Sequence, residues 1–185
     1  MSKLSGDSLV SIVVPTYNER ENVQRLLNGI RAALAGRWPY EIIIVDDNSP
    51  DGTAGAVRQA AKTDPAVKLV LRPKKLGLGS AVVAGFRVAR GSRWVMMDAD
   101  LSHRPQDIPG LLDGLHDTDI VIGSRYVTGG GVVGWPLHRR AISRTASAIG
   151  RLLVGLRVKD ATSGFVALRR EAIEPLLPAL APRGF

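Results

Sequence analysis

Residues 42–53 read IIIVDDNSPDGT, a short run of mostly β-branched residues that ends in two adjacent aspartates. Residues 94–100 repeat this arrangement as WVMMDAD, with Asp98 and Asp100 after the apolar run. Short apolar runs of this kind are typical of strands buried on both faces of a sheet. In open α/β sheets, ligands bind in the crevice at the carboxyl ends of such strands. Two acidic clusters in the same topological position therefore predict a ligand site at that edge.

The pair Asp98 and Asp100 is suited to a divalent cation. Mg²⁺ is typically bound in proteins by one or two carboxylates together with substrate phosphates. A single aspartate at a strand end is more simply explained as a turn residue. Because two acidic clusters occupy equivalent positions, the sequence favours the metal site over two unrelated turns.

Predicted strands and helices alternate along the first two thirds of the chain. Strands are predicted at 9–14, 42–45, 67–71, 94–97 and 120–122, and helices at 53–62, 78–89 and 106–115. Pro15 is expected to end the first strand, and Asn18 to cap a further helix after it. Repeated βα units build a parallel sheet with helices on both faces. We therefore expect residues 1–185 to form one α/β domain with a doubly wound, mainly parallel, Rossmann-like sheet.

The basic residues are concentrated in the last third of the chain. Residues 121–185 contain ten basic and three acidic side chains, and the whole chain has a formal net charge of +8. This asymmetry favours an anionic partner, such as a phosphorylated substrate, an anionic membrane surface or nucleic acid. Nucleic acid is disfavoured because only 5% of the residues are aromatic and no nucleic-acid-binding signature is present. The absence of cysteine is typical of a cytoplasmic protein.

Residues 139–158 form an amphipathic stretch. Apolar residues spaced by three or four positions make one stripe, and Arg140, Arg144 and Arg151 fall on the opposite side. A basic amphipathic helix can lie in a membrane interface. A helix that packs its apolar stripe on the domain and exposes its arginines has the same pattern. The pattern leaves both interpretations open.

Four motifs identify a family by resemblance: PTYNE at 15–19, VDDNSPDGT at 45–53, MDADLSH at 97–103 and GSRY at 123–126. Their order and spacing resemble the inverting, GT-A-fold glycosyltransferases of family 2, above all the dolichol-phosphate (polyprenol-phosphate) mannosyltransferases. The resemblance covers essentially the whole chain and implies transfer of mannose from GDP-mannose to a polyprenyl monophosphate. It also implies a cytoplasmic enzyme attached peripherally to a membrane. Since the family continues past the last residue, we expect a C-terminally truncated catalytic domain.

The resemblance implies two sets of donor-binding residues. One set would hold the nucleoside of the sugar nucleotide: Pro15, Tyr17, Glu19, Val45 and Asp47. The other would contact the donor and an Mg²⁺ or Mn²⁺ ion: Asp98, Ala99 and Asp100. Ser102 would be a third metal ligand, at a position where some relatives have glutamine.

The resemblance also implies an acceptor site. Arg125, Arg139 and Ser143 would bind the acceptor phosphate, and Arg125 would touch the donor as well. Together with Asp100, these residues form the expected catalytic set. Arginine side chains suit this purpose because their planar guanidinium groups bind phosphate through paired hydrogen bonds.

Two alternatives to this function remain open. Within the family, a polyprenol-phosphate glucosyltransferase that uses UDP-glucose, or another family 2 enzyme, has similar motifs. A more distant alternative is a signalling receiver domain, which also places an acidic pair after an Ile/Val strand. Against the receiver domain, a complete strand and helix precede Asp46, and no Lys-Pro pair follows residues 120–122.

Overall fold

The computed structural model describes residues 9–124 and 163–180. Within these ranges, six strands form one sheet in the order β3-β2-β1-β4-β6-β5. The strands are β1 Val10–Thr16, β2 Tyr40–Asp46, β3 Val67–Leu71, β4 Arg93–Met96, β5 Ile120–Ile122 and β6 Val166–Arg169. The helices are α1 Arg20–Leu34, α2 Thr53–Thr63, α3 Leu78–Val88, α4 Ile108–Gly114 and α5 Arg170–Ile173, with 3₁₀ turns at Pro105–Asp107 and Glu174–Leu176.

The sheet is mainly parallel, as the sequence predicts. Strand β1 pairs in parallel with β2 and β4, and β2 pairs in parallel with β3. Strand β6 lies between β4 and β5 and runs antiparallel to both. Strand β6 was not predicted from the sequence, and it is defined by its antiparallel pairing with β4 and β5.

Helices cover both faces of the sheet and bury two apolar layers. On one face, α1, α2 and α4 pack against side chains such as Ile12 and Ile44, which are fully buried. On the other face, α3 places Phe86 on Trp94 with the ring centroids 4.7 Å apart. Each fully buried aliphatic or aromatic side chain of this kind contributes roughly 1.5–3 kcal/mol. The two layers hold the strand ends, and therefore the loops that follow them, in fixed positions.

The first strand continues past Pro15, contrary to the prediction that this residue ends it. Strand β1 runs to Thr16, and Pro15 is paired with Val45 of β2. Pairing of β1 with β4 has already ended at Val13. Because β1 has a partner on one side alone at this point, the missing proline N–H is tolerated.

The prediction that Asn18 caps the first helix is wrong, since α1 begins at Arg20 and Asn18 has a left-handed φ of 62°. The loop after β2 and the first residue of α2 supply the capping oxygens instead. The backbone N–H groups of Asn18, Glu19 and Arg20 donate to Ser49 Oγ at 2.9 Å, Thr53 Oγ1 at 3.0 Å and Asp51 Oδ2 at 3.0 Å. The loops that follow β1 and β2 are thus fastened to each other. None of the helices in the described part of the chain is long and apolar enough to cross a bilayer.

Candidate functional site

The carboxyl ends of β1, β2 and β4 lie side by side. Thr16 and Asp46 are partners in the register of β1 and β2, and the N–H of Asp47 donates to Thr16 O at 3.2 Å. Strand β4 ends next to β1, where Met97 N–H donates to Val13 O at 3.2 Å. The two acidic clusters therefore follow β2 and β4, the strands on either side of β1, at one edge of the sheet, as predicted.

The first aspartate of the first cluster is a structural residue. Asp46 is fully buried, and its Oδ1 accepts hydrogen bonds from the hydroxyls of Thr16 at 3.1 Å and Ser49 at 2.6 Å. Its Oδ2 accepts the Ser49 N–H at 3.0 Å. These contacts shape the turn after β2, and a buried carboxylate needs them to offset its lost hydration.

Asp51 orders the same loop. Its Oδ1 accepts both the N–H and the hydroxyl of Thr53, at 2.9 Å and 2.6 Å, and its Oδ2 accepts the Arg20 N–H. Burial alone would raise the pKa of Asp51, but the hydrogen bonds from Thr53 and Arg20 outweigh it and hold the pKa below its usual value. The carboxylate is therefore ionised at neutral pH and keeps the loop closed.

Asp47 is buried in an ion pair with Arg72, which was not among the predicted site residues. Arg72 is 7% exposed, and its other nitrogens donate to Ser80 Oγ at 2.6 Å and Gly77 O at 3.1 Å. The second oxygen of Asp47 accepts the Leu76 N–H at 3.0 Å. Since each carboxylate oxygen has two acceptor positions, Asp47 retains capacity for a further donor. Arg72 follows β3 directly, so its place at the same sheet edge was the signal that could have identified it.

Two predicted nucleoside residues are accessible from solvent. Tyr17 is 38% exposed, and the ammonium of Lys75 lies 4.1 Å from the centre of its ring. Glu19 is half-buried and its Oε2 accepts a hydrogen bond from Asn22 Nδ2 at 2.7 Å. Both side chains stand at the end of β1, next to the loop that carries Asp47.

Pro15 and Val45, the other two predicted nucleoside residues, are buried within the sheet. The Val45 side chain is fully buried and belongs to the apolar layer under α3. Its carbonyl oxygen accepts the Thr16 hydroxyl at 3.3 Å. A ligand at the sheet edge would therefore contact the backbone of Val45 and not its side chain.

The second cluster forms a tight turn after β4. Asp100 is exposed, and its Oδ1 accepts the Ser102 N–H at 2.9 Å. Leu101, between them, has a left-handed φ of 62°. Ala99, between the two aspartates, is 4% exposed and packs in the core. Asp98 is partly accessible, with 37% of its side chain exposed.

The donor set of this turn fits a divalent cation that also binds substrate. Asp98, Asp100 and Ser102 offer oxygen atoms alone, which are the ligands that Mg²⁺ and Mn²⁺ prefer. In the two described ranges, no group of three or more His, Cys, Asp or Glu side chains converges on one point. A cation held by this turn would thus complete its coordination with diphosphate oxygens or water.

His103, which was not among the predicted site residues, is fixed against this turn. Its Nδ1 accepts the Asp98 N–H at 3.1 Å, and its Nε2 lies 3.7 Å from Asp98 Oδ2. Its ring is stacked on Phe165, with the ring centroids 5.1 Å apart and the planes 12° from parallel. The sequence signal was its fixed place in the motif, five residues after Asp98.

A cavity of about 370 Å³ lies at the opposite end of the sheet, at the start of β4 and the end of β6. Arg169 and Arg170 line it, together with His116. Arg169 donates to Leu115 O at 2.6 Å, and Arg170 donates to the Glu174 carboxylate at 2.5 Å. Because these guanidinium groups already have protein partners and lie away from the acidic clusters, the cavity is not part of the candidate site.

Comparison with known proteins settles the family. The family model described as glycosyl transferase family 2 matches residues 11–177. The chain belongs to glycosyltransferase family 2. The GT-A fold expected from the motifs is confirmed, and the receiver-domain alternative is excluded.

Relatives of this family 2 chain include two whose names refer to dolichol phosphate and to polyprenol monophosphomannose. It is 48% identical over 179 residues to dolichol-phosphate mannosyltransferase of Pyrococcus furiosus, covering 95% of this chain and 50% of that protein. It is 42% identical over 180 residues to polyprenol monophosphomannose synthase of Mycolicibacterium smegmatis, covering 94% of this chain and 67% of that protein. The chain therefore spans about half the length of the Pyrococcus relative.

A solved structure supports the same assignment of fold. The mannosyltransferase of Pyrobaculum calidifontis, determined with GDP-Man and Mn²⁺, superposes with a TM-score of 0.61 at 26% sequence identity. The match covers 90% of this chain and 46% of that structure.

The acceptor residues predicted for this family 2 chain lie outside the described residues. Arg125, Arg139 and Ser143 belong to this group, and so does the amphipathic stretch at 139–158. Their roles stay predictions from the sequence.

Proposed function

We propose that this chain is the catalytic part of an inverting mannosyltransferase that transfers mannose from GDP-mannose to a polyprenyl monophosphate. The observation that carries the proposal is the placement of Asp98 and Asp100 on the same sheet edge as Asp47 and Tyr17. This edge combines a site for a diphosphate-bound cation with a site for a nucleoside. Relatives named for mannose transfer to dolichol phosphate and polyprenol phosphate support the choice of sugar and lipid.

The nucleoside would lie at the ends of β1 and β2. Glu19 and Asp47 would accept hydrogen bonds from ribose hydroxyls or base N–H groups, and the exposed ring of Tyr17 offers a surface for packing. Pro15 and Val45 would contribute backbone contacts from the strands. Carboxylates are suited to this role because hydrogen bonds to a charged acceptor are stronger than neutral ones.

The donor diphosphate would lie over the turn after β4. Asp98 and Asp100, with Ser102, are the residues that would hold an Mg²⁺ or Mn²⁺ ion there, and Ala99 would contact the donor through its backbone. Such a cation, when bound, neutralises the negative charge that develops on the departing diphosphate. The hydrogen bond from Ser102 N–H to Asp100 fixes one of these carboxylates before the donor arrives.

The acceptor is a phosphate monoester, which is already anionic at neutral pH. Its oxygen attacks the anomeric carbon from the face opposite the diphosphate, so one C–O bond forms as the bond to GDP breaks and the configuration inverts. GDP leaves with the bonding electron pair, and no proton has to be removed from the nucleophile. The chain must therefore position the acceptor and offset its charge, the role we assign to Arg125, Arg139 and Ser143.

The lipid acceptor requires the enzyme to work at a membrane surface. We assign it to the cytoplasmic face, as a peripheral protein attracted to anionic lipid by its basic last third. This assignment rests on the charge distribution and on the chemistry of the acceptor.

The direct test of this function is a donor titration followed by a transfer assay with the full-length protein. Calorimetry with GDP-mannose, UDP-glucose and UDP-N-acetylglucosamine, each with Mn²⁺, should give the tightest binding for GDP-mannose. Radiolabelled GDP-mannose and undecaprenyl phosphate should then give labelled lipid that extracts into organic solvent. Tighter binding of UDP-glucose would favour the glucosyltransferase alternative, and donor binding without any labelled lipid would contradict the proposed acceptor.

A further inference from the structure

His103 contacts Asp98 at both its backbone and its side chain. The Asp98 N–H donates to His103 Nδ1 at 3.1 Å, and His103 Nε2 lies 3.7 Å from Asp98 Oδ2. Because Nδ1 is an acceptor here, the proton of the neutral imidazole lies on Nε2 and faces the carboxylate. The same imidazole ring thus accepts a hydrogen bond from the Asp98 backbone and faces the Asp98 carboxylate.

The His103 ring is itself held in place. It is stacked on Phe165, and its side chain is 10% exposed. Phe165 is anchored in turn, because its N–H donates to Ser163 Oγ at 3.2 Å and its carbonyl accepts the Gly123 N–H at 2.8 Å. The orientation of the imidazole therefore depends on the segment that leads into β6.

The backbone at Gly164 also lies close to the Asp98 carboxylate. A Cβ atom placed on Gly164 would lie 3.1 Å from Asp98 Oδ2 and 3.2 Å from Oδ1, closer than such atoms normally approach. The Asp98 carboxylate is thus close to both the imidazole and the glycine backbone. Two parts of the chain that are some sixty residues apart in sequence meet at this carboxylate.

We propose that His103 is a positioning residue that holds the Asp98 carboxylate in the orientation needed to bind the donor cation. The inference rests on the proposed function, in which Asp98 and Asp100 hold that cation. Groups that orient metal ligands affect metal affinity even though they do not touch the metal, because each ligand must be held at a defined angle. Phe165 belongs to the same arrangement, since it fixes the plane of the imidazole.

The competing explanation is that His103 only fills space next to Phe165. Replacing His103 by Phe separates the two explanations, because the aromatic ring and its stacking partner remain while both nitrogens are lost. Replacing His103 by Asn gives a second variant, since the amide oxygen of Asn can take the place of Nδ1 as acceptor while the ring is lost.

The experiment measures Mn²⁺ affinity in the presence of GDP, with free Mn²⁺ followed by electron paramagnetic resonance. We expect His103→Phe to lower the affinity by about tenfold, with a melting temperature close to that of the wild type. His103→Asn should retain more of the affinity than His103→Phe. The matched control is His116→Phe, which changes an exposed histidine in the turn after α4 and should leave Mn²⁺ affinity unchanged.

The outcomes separate this inference from the proposed function. If wild-type protein binds no Mn²⁺ with GDP, the proposed function fails and the inference fails with it. If the wild type binds Mn²⁺ and both His103 variants bind it as tightly as the wild type does, the positioning role of His103 is overturned while the proposed function stands. If His103→Phe does not fold, the inference is decided by His103→Asn: an Mn²⁺ affinity below that of the wild type in folded protein supports the positioning role, and an affinity equal to that of the wild type overturns it.

Discussion

Arg72 and Asp47 form a buried ion pair that joins the end of β3 to the end of β2. Both side chains are less than a tenth exposed. The remaining nitrogens of Arg72 hold the start of α3, and the second oxygen of Asp47 holds the N–H of Leu76. A predicted nucleoside ligand is therefore also a structural residue, and its orientation depends on an arginine 25 positions away.

Removing the arginine from this pair should be strongly destabilising. In Arg72→Met, Asp47 is left as an uncompensated buried charge, which costs about 3–5 kcal/mol. The measurement is urea unfolding at neutral pH. The matched control is Arg37→Met, because the pair between Arg37 and Asp113 is more than half exposed and such pairs contribute about 1 kcal/mol or less. Similar losses in the two variants would contradict the structural role assigned to Arg72.

Glu41 should make the stability of the fold depend on pH in the acid range. It is 2% exposed and accepts hydrogen bonds from Lys68 Nζ at 2.6 Å, Ser11 Oγ at 2.7 Å and the Arg90 N–H at 2.6 Å. Burial alone would raise the pKa of Glu41, but these three partners outweigh it and lower the pKa from 4.5 to about 2. The carboxylate therefore stabilises the fold above pH 4.5, and this stabilisation is lost as the pH falls towards 2.

The variant that tests this dependence is Glu41→Gln. It should reduce the free energy of unfolding at neutral pH by roughly 3 kcal/mol, the amount that the shift in pKa represents. It should also flatten the loss of stability in the acid range, followed by denaturant titrations at several pH values. Glu171→Gln is the control, since that side chain is 78% exposed. An acid profile in Glu41→Gln that matches the wild type would show that another group is responsible.

The sequence predicted those parts of the fold that local patterns determine. Apolar runs located β1 to β5, and the acidic residues after β2 and β4 located the sheet edge. Strand β6 could not be predicted, because its partners β4 and β5 are set by tertiary packing rather than by its own four residues. The cap of α1 was misassigned for a similar reason, since its oxygen atoms come from a loop some thirty residues away.

The motifs located the candidate site at the sheet edge, but they did not reveal the side chains that pack against its predicted ligands. Tyr17, Glu19, Asp98 and Asp100 were identified from motifs and lie at the sheet edge. The contact between His103 and Phe165 depends on how the segment before β6 packs, which no local pattern reveals. Val45 is a different case, because its burial limits it to a backbone contact.

Replacing the arginines that are predicted to bind the acceptor phosphate should weaken use of the acceptor more than binding of the donor. In the full-length protein, Arg125→Ala and Arg139→Ala should each weaken the use of acceptor phosphate by about 1.5–3 kcal/mol, the cost of a charge-assisted hydrogen bond. Arg139→Ala should leave GDP-mannose binding nearly unchanged, measured by calorimetry beside transfer kinetics. An equal loss of donor affinity in both variants would overturn the proposed division between donor and acceptor residues.

Membrane attachment should be reversible and sensitive to salt. The sequence places Arg140, Arg144 and Arg151 opposite an apolar stripe, and each basic residue near an anionic leaflet contributes about 1 kcal/mol. Sedimentation with anionic liposomes at low salt should recover wild-type protein, and changing all three arginines to glutamine should reduce the recovery. High salt should weaken binding because it screens the attraction. If the triple variant binds as well as the wild type, this stretch is not the attachment site.

The central claim is that the turn after β4 binds a nucleotide-sugar through a divalent cation. The direct measurement is the affinity for GDP-mannose, with Mn²⁺ and with EDTA, in wild type, Asp100→Ala and the exposed control Asp113→Ala. Because Asp100 is exposed, its replacement should change stability by about 0.5 kcal/mol or less. We predict that Mn²⁺ strengthens binding in the wild type and the control, and that Asp100→Ala abolishes this effect. Donor affinity that is unchanged by EDTA, or by Asp100→Ala in folded protein, would contradict the claim.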